Sequence, residues 1–217
     1  MSHPPPQAGR ERAADAVVHA AGLVSVLLGC VLLAWRTPPS AGPRLSLALA
    51  LYATGLVATF TCSAAYNLAP AGRGRAFLRR ADHAAIFLMI AGTYTPVSLL
   101  AIGGPLAAAL LAVVWTGALG GAAVKLFAPG RFERASVTAY LLLGWVGVVA
   151  LVPLAQALTP WQFGFLAAGG LLYTVGVLFH LADRLPYSTA VWHALVLVAA
   201  GCHFALVLGL ATDHAAG

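Results

Sequence analysis

The stretch AAIFLMIAGTYTPVSLLAI, residues 84–102, contains 19 consecutive residues without a charged side chain. An α-helix needs about 20 predominantly apolar residues to cross the hydrocarbon core of a bilayer. Six further stretches of similar length and composition flank it, and a tight turn at residues 103–105 separates it from the next stretch. The seven predicted spans are residues 16–35, 45–69, 84–102, 106–124, 137–158, 163–181 and 191–211.

The composition of the whole chain also indicates a membrane protein. Of the 217 residues, 61% are hydrophobic and 8% are charged, whereas roughly 25% are charged in an ordinary soluble domain. We therefore predict an all-α fold, a bundle of seven transmembrane helices that makes a multi-pass protein of the cell membrane. We expect a cytoplasmic N-terminal segment at residues 1–15, a transmembrane domain at 16–211 and an external tail at 212–217.

The basic residues predict the orientation of the bundle. Although the net charge is +6, the Lys and Arg residues lie between the spans, so we expect membrane lipid and no nucleic acid as a partner. Cytoplasmic loops are enriched in Lys and Arg, which predicts a cytoplasmic N-terminus and an external C-terminus. Of the twelve basic residues, ten lie on the predicted cytoplasmic side and only Arg36 and Arg44 lie on the other. The ten are Arg10, Arg12, Arg73, Arg75, Arg79, Arg80, Lys125, Arg131, Arg134 and Arg184.

Polar side chains gather at the cytoplasmic ends of four spans. Ionisable groups at membrane depth are costly and usually face the interior of a bundle or a wet cavity, which makes each one a functional candidate. We predict one shared cavity, with Asp82 within hydrogen-bond reach of at least one of its neighbours. The alternative is a surface ion pair between Asp82 and Arg79 or Arg80. The predicted cavity residues are His19, Ser63, Asn67, Asp82 and His193.

Two further groups of residues leave alternatives open. Glu11, Asp15 and His19 repeat every four residues and therefore share one helix face, but acidic residues in a first turn are also favoured by the helix dipole alone. For Glu11 and Asp15 we favour the second interpretation, an ordinary solvated first turn. His203 lies ten residues after His193, about 15 Å along a helix, and is either a second cavity residue or a neutral imidazole bonded to another helix.

Several motifs resemble the hemolysin III proteins within the progestin and adipoQ receptor family, a group of seven-helix membrane proteins related to alkaline ceramidases. The resemblance extends over the whole chain in order, and the motif in the third span is specific. The matching segments are ERAADAVVH at 11–19, SAAYN at 63–67, RADHAAIFLMIAGTYTP at 80–96, and Trp192-His193 with His203-Phe204 in the last span.

The resemblance implies a zinc site that this sequence does not complete. Relatives hold zinc with three histidines, but Asn67 and Thr189 occupy two of those positions and only His193 remains. Asparagine is a weak zinc ligand, so the sequence predicts weak zinc binding or none, with His193 and His19 as the candidate metal ligands. Ser63 and Asp82 match the positions expected beside metal-bound water and are the candidate catalytic residues, while Asn67 and His203 are candidate cavity residues.

Three functions follow from the motifs and the resemblance. The first is a membrane hydrolase that acts on a lipid amide or ester, with a degenerate metal site. The second is a channel or a pore-forming, cytolytic protein, as the family name implies. The third is a sensor or scaffold without catalysis. The sequence does not choose between them.

Overall fold

The structure is a computed structural model that describes residues 9–37, 40–70, 72–128, 133–182 and 184–216. Seven of its helical segments are long and apolar enough to cross a membrane, which confirms the predicted seven-span bundle. The helices are α1 (Gly9–Arg36), α2 (Gly42–Leu68), α3 (Arg75–Pro96), α4 (Gly104–Phe127), α5 (Glu133–Trp145), α6 (Leu151–Ala157), α7 (Pro160–Leu181) and α8 (Ser188–Ala216).

The fifth span is broken in its middle. A 3-10 turn at Val146–Ala150 separates α5 from α6, and this leaves backbone groups without their usual helical partners. The Tyr94 hydroxyl compensates, because it donates to the Gly144 carbonyl at 2.7 Å and accepts from the Gly147 amide at 2.7 Å. Unsatisfied backbone groups are expensive in lipid, so α3 stabilises the break.

The third span ends in an irregular turn that reverses the chain. Pro96 closes α3, and Val97–Ile102 continue it as a π-helix. Gly103 and Gly104 then adopt positive φ values of 68° and 62°, a backbone conformation that glycine tolerates at little steric cost. The predicted tight turn is therefore present, and it places α4 antiparallel to the third span.

Glycines set the closest helix contacts in the bundle. A Cβ atom on Gly55 of α2 would lie 2.8 Å from the Leu88 carbonyl oxygen of α3, and one on Gly92 would lie 2.9 Å from the Leu51 oxygen. Small residues let membrane helices approach closely. The α2–α3 contact is the part of the bundle that holds Ser63 and Asp82 on neighbouring helices.

One end of the bundle brings together the polar ends of four helices. The first half of α1, the end of α2, and the starts of α3 and α8 all lie there, and α1 packs against both α2 and α8. The helices extend past the predicted domain limits, because α1 begins at Gly9 and α8 runs to Ala216. Asp15, assigned to the N-terminal segment in the sequence analysis, is consequently part of α1.

Candidate functional site

A buried acid and a histidine form the shortest polar contact of the site. The Asp15 carboxylate oxygen Oδ1 lies 2.6 Å from Nδ1 of His193. The two side chains come from opposite ends of the sequence and are 6% and 13% exposed. Charge-assisted hydrogen bonds are short and strong, so this contact ties the start of α8 to the first half of α1.

His19 lies one turn after Asp15 and faces the same point. Its Nδ1 is 2.8 Å from the Asp15 carbonyl oxygen, and its ring packs edge-on against His193 with centroids 4.4 Å apart. A carbonyl oxygen only accepts hydrogen bonds, so Nδ1 carries the proton. In the neutral ring the lone pair is then on Nε2, which lies 3.3 Å from the Ser63 hydroxyl oxygen.

Ser63 connects the histidines to α3. Asn67 donates from Nδ2 to the Ser63 carbonyl at 3.0 Å and approaches the Ser63 hydroxyl oxygen at 3.4 Å. The carboxylate of Asp82 lies beside the same hydroxyl. One hydroxyl proton therefore has two acceptors nearby, Asp82 and Nε2 of His19, so Ser63 is in a position to pass a proton between α1 and α3.

The structure brings five predicted site residues together and adds one. His19, Ser63, Asn67, Asp82 and His193 lie in one cluster, in which His19 and Asp82 are buried and the other three are half-buried. The added residue is Asp15, for which a solvated first turn was the favoured interpretation. Its spacing of four residues from His19 was the available signal. We call the six residues the polar cluster: Asp15, His19, Ser63, Asn67, Asp82 and His193.

His203 does not join the polar cluster, although it was predicted as a cavity residue. Its Nε2 lies 3.3 Å from the Leu166 carbonyl oxygen of α7, and its ring packs 5.6 Å from that of Tyr173. A Cβ atom on Gly169 would lie 2.3 Å from the ring, so a glycine gives the imidazole its space. His203 therefore serves the packing of α7 on α8.

Comparison with known proteins identifies the family to which this arrangement belongs. The sequence model of the family described as Haemolysin-III related matches residues 10–204, a range that includes all six residues of the polar cluster. The chain belongs to this family. The match confirms the resemblance to hemolysin III proteins and a multi-pass position in the cell membrane.

Members of the haemolysin III family and its wider relatives are similar along most of the chain. Hemolysin-3 of Bacillus cereus is 35% identical over 92% of this chain and 91% of its own length. The Hemolysin-3 homolog of Bacillus subtilis is 42% identical over 58% of this chain and 60% of its own. The human Monocyte to macrophage differentiation factor is 27% identical over 94% of this chain and 88% of its own length. This agrees with the relation to the progestin and adipoQ receptors.

The three positions that the resemblance assigns to zinc do not suit that ion in this haemolysin III protein. Asn67 uses its amide to hold Ser63, and residue 189 is a threonine, whereas zinc prefers thiolate, imidazole and carboxylate. A different set does suit a metal. Ligand atoms of Asp15, His19 and His193 all lie within 4.8 Å of one another, so one carboxylate and two imidazoles could hold an ion between α1 and α8.

Proposed function

We propose that this haemolysin III protein is a membrane hydrolase that cleaves a lipid amide or ester in the polar cluster. The observation that carries the proposal is the position of the Ser63 hydroxyl, 3.3 Å from the unprotonated nitrogen of His19 and beside the carboxyl group of Asp82. A hydroxyl between a base and an acid at membrane depth is the arrangement that general acid–base catalysis requires.

Each residue of the polar cluster has a role in such a reaction, and that of His19 is to hold the Ser63 hydroxyl in place. Hydrolysis takes a proton from the attacking water, breaks the bond between the carbonyl carbon and its amide or ester heteroatom, and returns a proton to the leaving group. In a metal-free reaction His193, held by Asp15, accepts the proton of water, and Asp82 in its protonated form delivers one to the leaving group. The proton on His193 then returns to Asp82 through water, which restores both groups. Ser63 and Asn67 position the carbonyl. A bound zinc ion would polarise that carbonyl and activate water.

The surroundings of the polar cluster support a lipid as the substrate. An open groove of about 220 Å³ lies between α1, α2 and α8, three of the four helices that carry the cluster, one to three turns deeper than the cluster. It contains mainly apolar side chains, a surface that suits an acyl chain whose carbonyl lies at the cluster. The side chains that line it include Val26, Leu56, Phe60, Leu197 and Phe204.

Hydrolysis by the purified protein tests the proposal. The full chain in lipid nanodiscs receives a lipid amide and the matching ester, and the released fatty acid is followed by mass spectrometry. We expect product, and about 10- to 100-fold slower release in Ser63→Ala, since this change removes a positioned hydroxyl. Ser46→Ala is the matched control, because Ser46 lies on the same helix and bonds only locally, to Gly42.

The pore function predicts a different result in the same preparation. Large apolar side chains fill the described core beyond the polar cluster, among them Tyr52, Leu56, Met89 and Leu206, so we expect vesicles that contain the protein to retain a trapped dye. Dye release without fatty acid release would contradict the hydrolase and favour the pore. If neither dye nor fatty acid is released, the result favours the sensor or scaffold.

We also propose that the polar cluster faces the cytoplasm. The alternation of the seven spans assigns ten of the twelve Lys and Arg residues to the same side as the cluster residues, and basic residues favour the cytoplasmic side. A phosphatase that is active only outside the cytoplasm should be active when fused after Ala211 and inactive when fused near Arg75. The reverse pattern would contradict this orientation.

A further inference from the structure

We propose that this chain binds one zinc ion through Asp15, His19 and His193, a ligand set in which α1 replaces α2. The catalytic meaning of this site rests on the proposed function, but the binding of the ion does not. The set differs from the sequence-based expectation of weak or absent zinc, because that expectation did not include Asp15 as a ligand.

The donor atoms suit zinc in kind and in number. Catalytic zinc sites commonly hold three protein ligands, with two imidazoles and one carboxylate among the known sets, and leave a fourth position for water. The three side chains are close enough to converge, with all ligand atoms within 4.8 Å of one another. Imidazole ligands favour zinc and related transition metals over magnesium and calcium.

The hydrogen bonds of His19 prepare it to bind a metal. The Asp15 carbonyl accepts from its Nδ1 at 2.8 Å, which leaves the lone pair on Nε2 available. A metal-binding histidine usually has its other ring nitrogen bonded to a carbonyl or carboxylate, because this bond sets the tautomer and the ring orientation. His19 has that arrangement before any ion binds.

The position of His19 explains how α1 takes the place of α2. Its Nε2 lies 3.3 Å from the Ser63 hydroxyl oxygen, and the amide of Asn67 approaches the same oxygen at 3.4 Å. The imidazole from α1 and the side chain at position 67 therefore converge on one point of the cluster. A ligand lost at position 67 is replaced by one that already faces the same space.

Asp15 replaces the second missing ligand and supplies negative charge. Its carboxylate is 6% exposed and contacts both histidines, at 2.6 Å to His193 and 3.6 Å to His19. A buried carboxylate needs a compensating positive charge. The hydrogen bond with His193 provides partial compensation, and a divalent ion between the three side chains would provide it more fully.

Zinc titration of the full chain in detergent tests the site without reference to activity. The protein is first stripped with a chelator, and binding is then measured by competition with a chromophoric chelator and by elemental analysis. We expect one zinc per chain. Asp15→Asn and His193→Gln should each weaken binding at least about 100-fold, because a side chain that binds the ion directly matters at least as much as the residues that orient it. Glu11→Gln, one turn earlier on the same helix face, should bind like the parent.

A second set of measurements, in a variant that carries histidines at positions 67 and 189, tests whether Asp15 is a zinc ligand. Asn67→His with Thr189→His adds two imidazoles, so Asp15→Asn in this background should weaken zinc binding less than about 10-fold. Zinc-free melting curves show whether each variant is folded. His19→Gln serves if Asp15→Asn does not fold, because His193 belongs to both ligand sets. The proposal is overturned if the parent binds no zinc or if Asp15→Asn and Glu11→Gln bind alike. If the protein binds zinc but hydrolyses no lipid, only the proposed function is overturned. If it hydrolyses lipid but binds no zinc, only the proposed zinc site is overturned.

Discussion

Replacing Asp82 with asparagine should lower the turnover of a lipid amide or ester by about 10²- to 10⁴-fold, the usual contribution of a general acid or base. The side chain keeps its shape but cannot deliver a proton to the leaving group. Asp82 is buried and lies beside Ser63, so the loss should appear mainly in kcat rather than in KM. Fatty acid release under single-turnover conditions measures it.

The matched control for this change lies at the other end of the bundle. Asp213 near the end of α8 accepts a hydrogen bond from the Gln162 amide at 2.8 Å, and Asp213→Asn removes the same charge far from the polar cluster. We expect its turnover to stay within about 3-fold of the parent, the range of an effect below 1 kcal/mol. Equal losses in the two variants would show that Asp82 acts on stability and not on the reaction.

The substitution Gly55→Ala should destabilise the bundle by about 3 kcal/mol, at the upper end of what overpacking usually costs. The new Cβ would lie 2.8 Å from the Leu88 carbonyl oxygen and 3.1 Å from the Met89 Cα. Both are backbone atoms, so no side chain can rotate away and α3 itself must move. A loss of about 3 kcal/mol lowers Tm by roughly 6–12 °C in a chain of this size.

Gly120→Ala is the control for this packing prediction. Gly120 is also helical, but a Cβ atom there meets nothing within 4 Å, so Tm should change by no more than about 2 °C. Because α2 carries Ser63 and α3 carries Asp82, Gly55→Ala should also slow hydrolysis at temperatures where the variant remains folded. An unchanged Tm in Gly55→Ala would contradict the close α2–α3 contact.

Hydropathy and charge were enough to predict the architecture. The bilayer requires spans of a defined length and apolar composition, and these leave a clear record in any single stretch of sequence. The alternation of spans then brought the predicted cluster residues to one end, because residues near the same membrane level must lie at a similar height. The break of the fifth span at Val146–Ala150 was not predicted, since its apolar composition continues through it.

The sequence alone established the seven spans, the polar residues at one end and the two missing histidines. It did not establish which side chains meet, because helix rotation depends on packing between helices far apart in sequence. Gly22 fits α1 against Phe60 and Leu197, and this packing accompanies the rotation of Asp15 toward His193 instead of water. His203, on the same helix as His193, faces α7 because ten residues turn it by roughly 80°. Height in the membrane follows from sequence position, whereas the partner across each interface follows from the packed bundle.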